Sequence, residues 1–456
     1  MRFVIMIGVL MSALSAAVSL PFQVETLKEN GLNIVVVPLR NGSNVIETDV
    51  IYNVGSGDEK MGKSGIAHMI EHMNFKSTKN LKAGEFDTIV KRMGGVDNAS
   101  TGFDYTRYFI KSSSSNLDTS LKLFADLMGN LTLKDSEFQT ERQVVMQERL
   151  WRTEDNPIGY LYFRFFNTAF VYSPYHWTPI GFHSDILNWN IKDLKDFHKT
   201  YYQPTNATVL IVGDIDPKEA FAKTKKYFGN IKNKKEIPAF YENEPDSDGE
   251  KVVNIHRYTG GLEYLALGFR TSKLSDKRDE AAKYKDKVVL DVLGYILGGT
   301  NSSLLDEKLS DELKLTSDIS SFNMKLKHGG VFFIIATMNK DKKASDAKDE
   351  ILKVIQNIKE RKISEADLDK AKAAINARFL YSFESSSKLA GIFASFIGGA
   401  DSKDVDVSLK HLKNYIKDVN SVNLKDLQDV SDYYFTKANL TTLTMSPKSN
   451  SHKEDE

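Results

Sequence analysis

The chain of 456 residues is long enough for on the order of two to four ordinary domains, and its 41% apolar and 27% charged residues suit a globular protein. Lys plus Arg (61) balance Asp plus Glu (61) with no long basic run, so the electrostatic footprint of a nucleic-acid binder is missing. Cysteine is absent, which excludes disulfides and thiolate nucleophiles and leaves only histidine and carboxylate as strong metal ligands.

The N-terminus carries Arg2, an apolar run from Phe3 to Leu14, and small residues around Val18 and Ser19. Residues 1–19 are therefore expected to be a secretory signal peptide, with the mature chain exported, periplasmic in a bacterium. The apolar run is shorter than the roughly 20 residues of a spanning helix, and no later stretch is long enough, so no stable membrane span is expected after cleavage. Leu32–Val37 and Val45–Tyr52 are rich in β-branched residues and read as strands. After the Gly55-Ser56-Gly57 turn, Ser64–Met73 reads as a helix with Ser64 as its N-cap. A strand pair around Gly95–Ser112, a helix over Leu117–Met128 and a long helix over Ser136–Arg152 follow.

The same cadence then returns. Asn190-Ile191-Lys192-Asp193-Leu194-Lys195-Asp196, leading to Tyr201-Tyr202 and Asn206–Leu210, aligns without a gap on Asn423-Leu424-Lys425-Asp426-Leu427-Gln428-Asp429, leading to Tyr434-Phe435 and Asn439–Leu443. Such a repeat argues for two copies of one α/β unit, an N-terminal domain over 20–231 and a C-terminal domain over 252–446. The segment 232–251, rich in Lys, Glu, Asp and Pro, reads as an exposed linker, and the polar tail 447–456 as disordered.

His68-Met69-Ile70-Glu71-His72 puts two imidazoles one helical turn apart on one face, within reach of a single metal ion. Glu71 occupies a neighbouring angular position, suited to take a proton from an attacking water, and HxxEH is a zinc signature. Imidazole ligands favour Zn2+ over magnesium or calcium. A catalytic zinc needs a third protein ligand. The long helix offers Glu141 and Glu148, seven residues apart on one face, and Glu137; spacing does not separate them, and Glu148 is preferred. His176, His183 and His198 show no spacing that suggests a second site.

The segments Gly65–Met73, Glu141–Glu148 and Gly94-Gly95-Val96-Asp97-Asn98-Ala99-Ser100-Thr101 together resemble the pitrilysin (insulinase) M16 metallopeptidases, in particular the short M16B members similar to the mitochondrial processing peptidase. The resemblance spans nearly the whole mature chain. It implies an α+β, LuxS/M16-like metalloenzyme of two homologous α/β domains with mixed, largely antiparallel sheets packed by helices. It further implies zinc on His68, His72 and Glu148, Glu71 as general base, and Glu141 supporting the site. Asn98, Ala99 and Ser100 then lie on an edge strand that pairs with a peptide substrate, a mode in which main-chain hydrogen bonds give affinity.

Active members supply an Arg and a Tyr seven residues apart from a second-half domain, and here Ser310 and Ser317 stand at those positions. A short uncharged hydroxyl is a poor substitute for either. A zinc endopeptidase whose homologous partner subunit, or second copy, supplies the Arg/Tyr pair is therefore expected. The competing functions are a non-catalytic scaffold subunit of the same fold and an extracytoplasmic peptide-binding protein.

Overall fold

The computed structural model describes residues 20–399 and 404–448, and the expected signal segment lies outside them. Strands β1 (Gln23–Thr26), β2 (Asn33–Pro38), β3 (Val45–Tyr52), β4 (Val96–Thr101), β5 (Thr106–Ser113) and β6 (Ala207–Gly213) form one sheet in the order β1-β2-β6-β3-β5-β4. Strands β7 (Lys251–Arg257), β8 (Tyr264–Arg270), β9 (Thr316–Leu326), β10 (Gly329–Met338) and β11 (Leu440–Pro447) form a second, ordered β7-β11-β8-β10-β9. In the first half the helices are α1 (Ile66–Asn74), α2 (Glu85–Arg92), α3 (Leu117–Asn130), α4 (Asp135–Arg149), α5 (Pro157–Ala169), α6 (His183–Asn188), α7 (Ile191–Tyr201) and α8 (Pro217–Phe228). The second half carries α9 (Glu280–Gly298), α10 (Ala344–Lys359), α11 (Glu365–Ser382), α12 (Ser386–Gly398), α13 (Val405–Ser421) and α14 (Leu424–Tyr434).

The two sheets repeat one topology. β2 pairs with β6 in parallel, as β7 does with β11, and every other pairing is antiparallel. The internal repeat of the sequence maps onto this duplication through its hydrogen bonds. Asn190 caps α7 by accepting the Asp193 N–H at 3.1 Å, and Asn423 caps α14 by accepting the Asp426 N–H at 3.1 Å. Asn206 then donates to the Tyr201 carbonyl at 3.0 Å and Asn439 to that of Tyr434 at 3.0 Å. Each asparagine satisfies a backbone group left open at a helix end, which is why the pattern survives as a repeat.

Each half also covers the other. Strand residues alternate between faces, so Ile34, Val36, Ile46 and Val50 pack against Phe86, Leu121 and Phe124 in the core of the first half. Their neighbours Val35, Val37, Ile51, Leu210 and Val212 pack on Phe379, Leu389, Phe393, Leu409 and Leu412, which come from α11–α13 of the second half. In return, Leu161, Phe165 and Phe166 of α5 cover Ala266, Val331, Phe333, Leu443 and Met445 of the second sheet. Burial on both faces explains the unbroken apolar runs of the strands.

The segment 232–250 carries no helix or strand, yet the exposed linker expected there is pinned at Glu244. Glu244 is 8% exposed, accepts the N–H groups of Val171, Tyr172 and Ser173, each at 2.9 Å, and pairs with Arg270 at 3.3 Å. Lys251 already belongs to β7. At the C-terminus, Pro447 ends β11 and the Lys448 N–H bonds the Arg257 carbonyl at 2.9 Å, so both residues belong to the fold rather than to the expected tail. Residues 449–456 lie outside the described residues.

Candidate metal centre

Helix α1 begins at Ile66, with Gly65 as its N-cap at φ +87°; a Cβ there would lie 2.8 Å from the Ile180 carbonyl oxygen and 2.9 Å from the Trp189 ring. Only glycine fits that close approach without strain. Ser64 is not the cap expected from sequence, because its hydroxyl donates to Asp185 at 2.6 Å and accepts the Phe182 N–H at 2.8 Å. Buried Glu59 instead satisfies the helix start, accepting the Gly65 N–H at 2.7 Å, the Ala67 N–H at 2.8 Å and the Trp177 indole N–H at 2.8 Å. A carboxylate in this place also complements the positive end of the helix dipole.

From this anchored turn, His68 and His72 project together, their ring centroids 4.7 Å apart. Helix α4 packs beside α1 and separates the three glutamates that spacing left equivalent. Glu148 Oε2 lies 3.5 Å from His68 Nε2 and 3.2 Å from His72 Nε2. Glu141 Oε1 meets the opposite ring nitrogen, His72 Nδ1, at 2.8 Å, and Lys76 Nζ sits 2.5 Å from Glu141 Oε2. Glu137 is turned away and accepts the Ser77 hydroxyl at 2.7 Å.

His68, His72 and Glu148 each offer one ligand atom within 4.8 Å of the others, the one such grouping of histidine and carboxylate among the described residues. The set fits zinc. Ligand atoms bound tetrahedrally to zinc at about 2.0–2.1 Å are about 3.3 Å apart, close to the two separations above. Two imidazole nitrogens and a carboxylate oxygen converging on one point are also the donor types that suit such a cation. Burial and neighbouring His72 push His68 down to about 4, so its ring is neutral with a lone pair free at neutral pH. Against the effect of burial, hydrogen bonds to Glu141 and Glu148 hold His72 up at about 9, because this pair of carboxylates favours positive charge between them.

Glu71, at the next angular position on α1, interacts electrostatically with both His72 and Glu148. Burial raises its pKa, while the Thr101 hydroxyl donates to its Oε2 and opposes that rise. Thr101 ends β4, an edge strand paired to β5 alone. Asn98 and Ser100 are exposed and Ala99 is half-buried, leaving one backbone edge of this strand open. Thr101 was legible only as part of the edge-strand motif, since its contact to Glu71 spans 30 residues, and Glu59 stood out in no motif although Gly65 and Ala67 lie six and eight residues beyond it. Arg152, 3.0 Å from Glu148 Oε1, follows it by four positions and could have been found from helical spacing, whereas Lys76 lies past the end of α1 and reaches Glu141 on another helix.

Ser310 lies in a π-helical segment, Asp306–Glu312, with its hydroxyl 2.9 Å from that of Thr316; Ser317 donates to the Thr337 carbonyl at 3.3 Å. Both hydroxyls are engaged locally in the second half. His176 Nδ1 bonds the Phe170 carbonyl at 2.7 Å, and buried His198 stacks on Tyr202.

Along most of its length the chain is similar to known proteins. Residues 36–168 match the profile of the insulinase family, Peptidase M16, and residues 188–375 match that of the Peptidase M16 inactive domain. A Helicobacter pylori protein named zinc protease PqqE is 50% identical over 424 residues, covering 92% of each chain. The probable mitochondrial-processing peptidase subunit beta of Arabidopsis thaliana is 24% identical over 408 residues, covering 84% of this chain and 74% of its own. The crystal structure of a protease from Helicobacter pylori superposes with a TM-score of 0.87 at 49% identity, over 94% of this chain and 99% of that one. With its two M16-type domains, the chain belongs to the M16 (insulinase) family of peptidases.

Proposed function

We propose that this chain is a zinc-dependent endopeptidase that hydrolyses peptides or presequence-like polypeptides after export. The observation that carries this is the meeting of His68, His72 and Glu148 at zinc-ligand separations, with the Glu71 carboxylate in electrostatic reach of His72 and Glu148. Zinc bound there would lower the pKa of water toward about 7 and polarise a peptide carbonyl. Glu71 takes the proton of the attacking water and delivers it to the leaving amine. Glu141 fixes the His72 tautomer by accepting its Nδ1 proton, so that Nε2 is free to hold the metal. The open edge of β4 at Asn98, Ala99 and Ser100 pairs with the substrate main chain. Because Ser310 and Ser317 are short, uncharged and locally engaged, a homologous partner subunit, or a second copy, supplies the Arg and Tyr that hold the substrate carbonyl.

Metal analysis of the purified protein should find one zinc per chain, lost in His68→Ala. Glu71→Gln should keep its zinc and cut hydrolysis of an internally quenched peptide by about 10²–10⁴-fold. Folded wild-type protein that binds no zinc would favour the scaffold function, and zinc-loaded protein that captures peptides without cutting them, alone or with its partner, would favour the binding function. Full activity from the isolated chain, not raised by any co-purifying homologue, would remove the partner.

A further inference from the structure

The contact between Thr101 and Glu71 joins two parts of the site with no connection in sequence. Thr101 is the last residue of β4, and its hydroxyl donates to Glu71 Oε2. We infer that Thr101 is a positioning residue for the base: it occupies one carboxylate oxygen, orients the other toward the attacking water, and couples that orientation to the strand whose free edge faces a bound peptide. This role rests on Glu71 being the base.

The strand end is well suited to position a side chain. Side chains of β4 alternate, so Val96, Asn98 and Ser100 are exposed while Asp97, Ala99 and Thr101 turn toward the helices. Past Thr101 the chain is tied down by backbone hydrogen bonds. Gly102 N–H bonds the Tyr105 carbonyl at 2.9 Å, and the turn before α1 clasps the same hairpin, Ser56 N–H to the Gly102 carbonyl at 3.1 Å and Gly57 N–H to the Phe103 carbonyl at 2.7 Å. A Cβ at Gly55 would lie 2.5 Å from the carbonyl oxygens of both Gly102 and Phe103, so the two loops are in backbone contact. The hairpin after Thr101 and the turn that leads toward the His68–His72 helix are therefore held together by backbone hydrogen bonds, the kind of support that keeps a reacting group in place.

The hydroxyl also fixes a division of labour between the two carboxylate oxygens. A hydroxyl that donates to Oε2 takes up an acceptor position there, and Oε1 is the oxygen left to accept the water proton. Without the hydroxyl the carboxylate can rotate about its last torsion, which has broad, nearly two-fold wells. A peptide laid along β4 is then aligned on one strand with both its backbone register and the base that serves it.

The test compares Thr101→Val, which keeps the shape and loses the donor, with Thr101→Ser, which keeps the donor. Each is assayed as zinc-loaded protein, with any subunit that co-purifies, on an internally quenched peptide. Thr101→Val should lose about 10–100-fold in kcat with KM and zinc content within twofold of wild type, and Thr101→Ser should recover to within about threefold. In a Glu71→Gln background, adding Thr101→Val should leave the affinity for the uncleaved peptide unchanged. A raised KM with unaltered kcat, or failure of Thr101→Ser to recover where it melts like wild type, would overturn the role. Should Glu71→Gln itself retain full turnover, the assignment of the base fails instead, and the two failures are thereby distinguished.

Discussion

Replacing Glu141 by Gln tests whether the ring nitrogen opposite the metal governs metal affinity. Glu141 touches no shared point with His68 and Glu148; its Oε1 accepts from His72 Nδ1 at 2.8 Å, and Lys76 sits 2.5 Å from its Oε2. Glutamine keeps an acceptor of the same shape but removes the negative charge that makes the imidazole a better donor. Loss of such a supporting carboxylate costs about 10–100-fold in metal affinity, or ~1.4–2.7 kcal/mol. Lys76→Met removes only the partner of Glu141, a partly exposed ion pair worth ~0.2–1 kcal/mol, so its effect should stay below about fivefold. Glu148→Gln removes a ligand atom and should weaken zinc more than either. Competition against a chromophoric chelator at fixed pH gives all three constants. An order other than Glu148→Gln, then Glu141→Gln, then Lys76→Met, or a Glu141→Gln variant that binds zinc like wild type, would refute the assigned geometry.

The other predictions concern stability. Burial pushes His198 down to about 3 from its ordinary 6.5, so the folded chain excludes a proton that the unfolded chain binds. Its contribution is intact above pH 6.5 and is lost as pH falls toward 3, by ~1.4 kcal/mol per unit. Denaturant midpoints between pH 8 and 5 should fall less in His198→Phe than in wild type, and parallel curves would contradict this. Glu244→Ala leaves one buried and two part-buried N–H groups and the buried Arg270 without their carboxylate and should cost about 3–5 kcal/mol, whereas exposed Glu242→Ala should stay within ~0.5 kcal/mol. Equal midpoints for these two variants would mean that the linker is no clasp.

What sequence alone determined is whatever lies within one or two helical turns or recurs as a local cap. His68, Glu71 and His72 could be read because an i, i+4 pair on a helix shares a face whatever surrounds it. The duplication was legible because Asn190 and Asn423, and Asn206 and Asn439, satisfy the same backbone groups in each half. Tertiary structure decided the rest. Glu137, Glu141 and Glu148 share one helical stripe, and only the packing of α4 on α1 assigned them to Ser77, to His72 Nδ1 and to the two Nε2 atoms. Ser64 satisfies the local rule for an N-cap, yet Glu59 takes the N–H groups at the start of α1, because a loop brings a buried carboxylate there. The crossing of α5 onto the second sheet and of α11–α13 onto the first also left no trace in periodicity, since an apolar face records that it is covered but not by which partner.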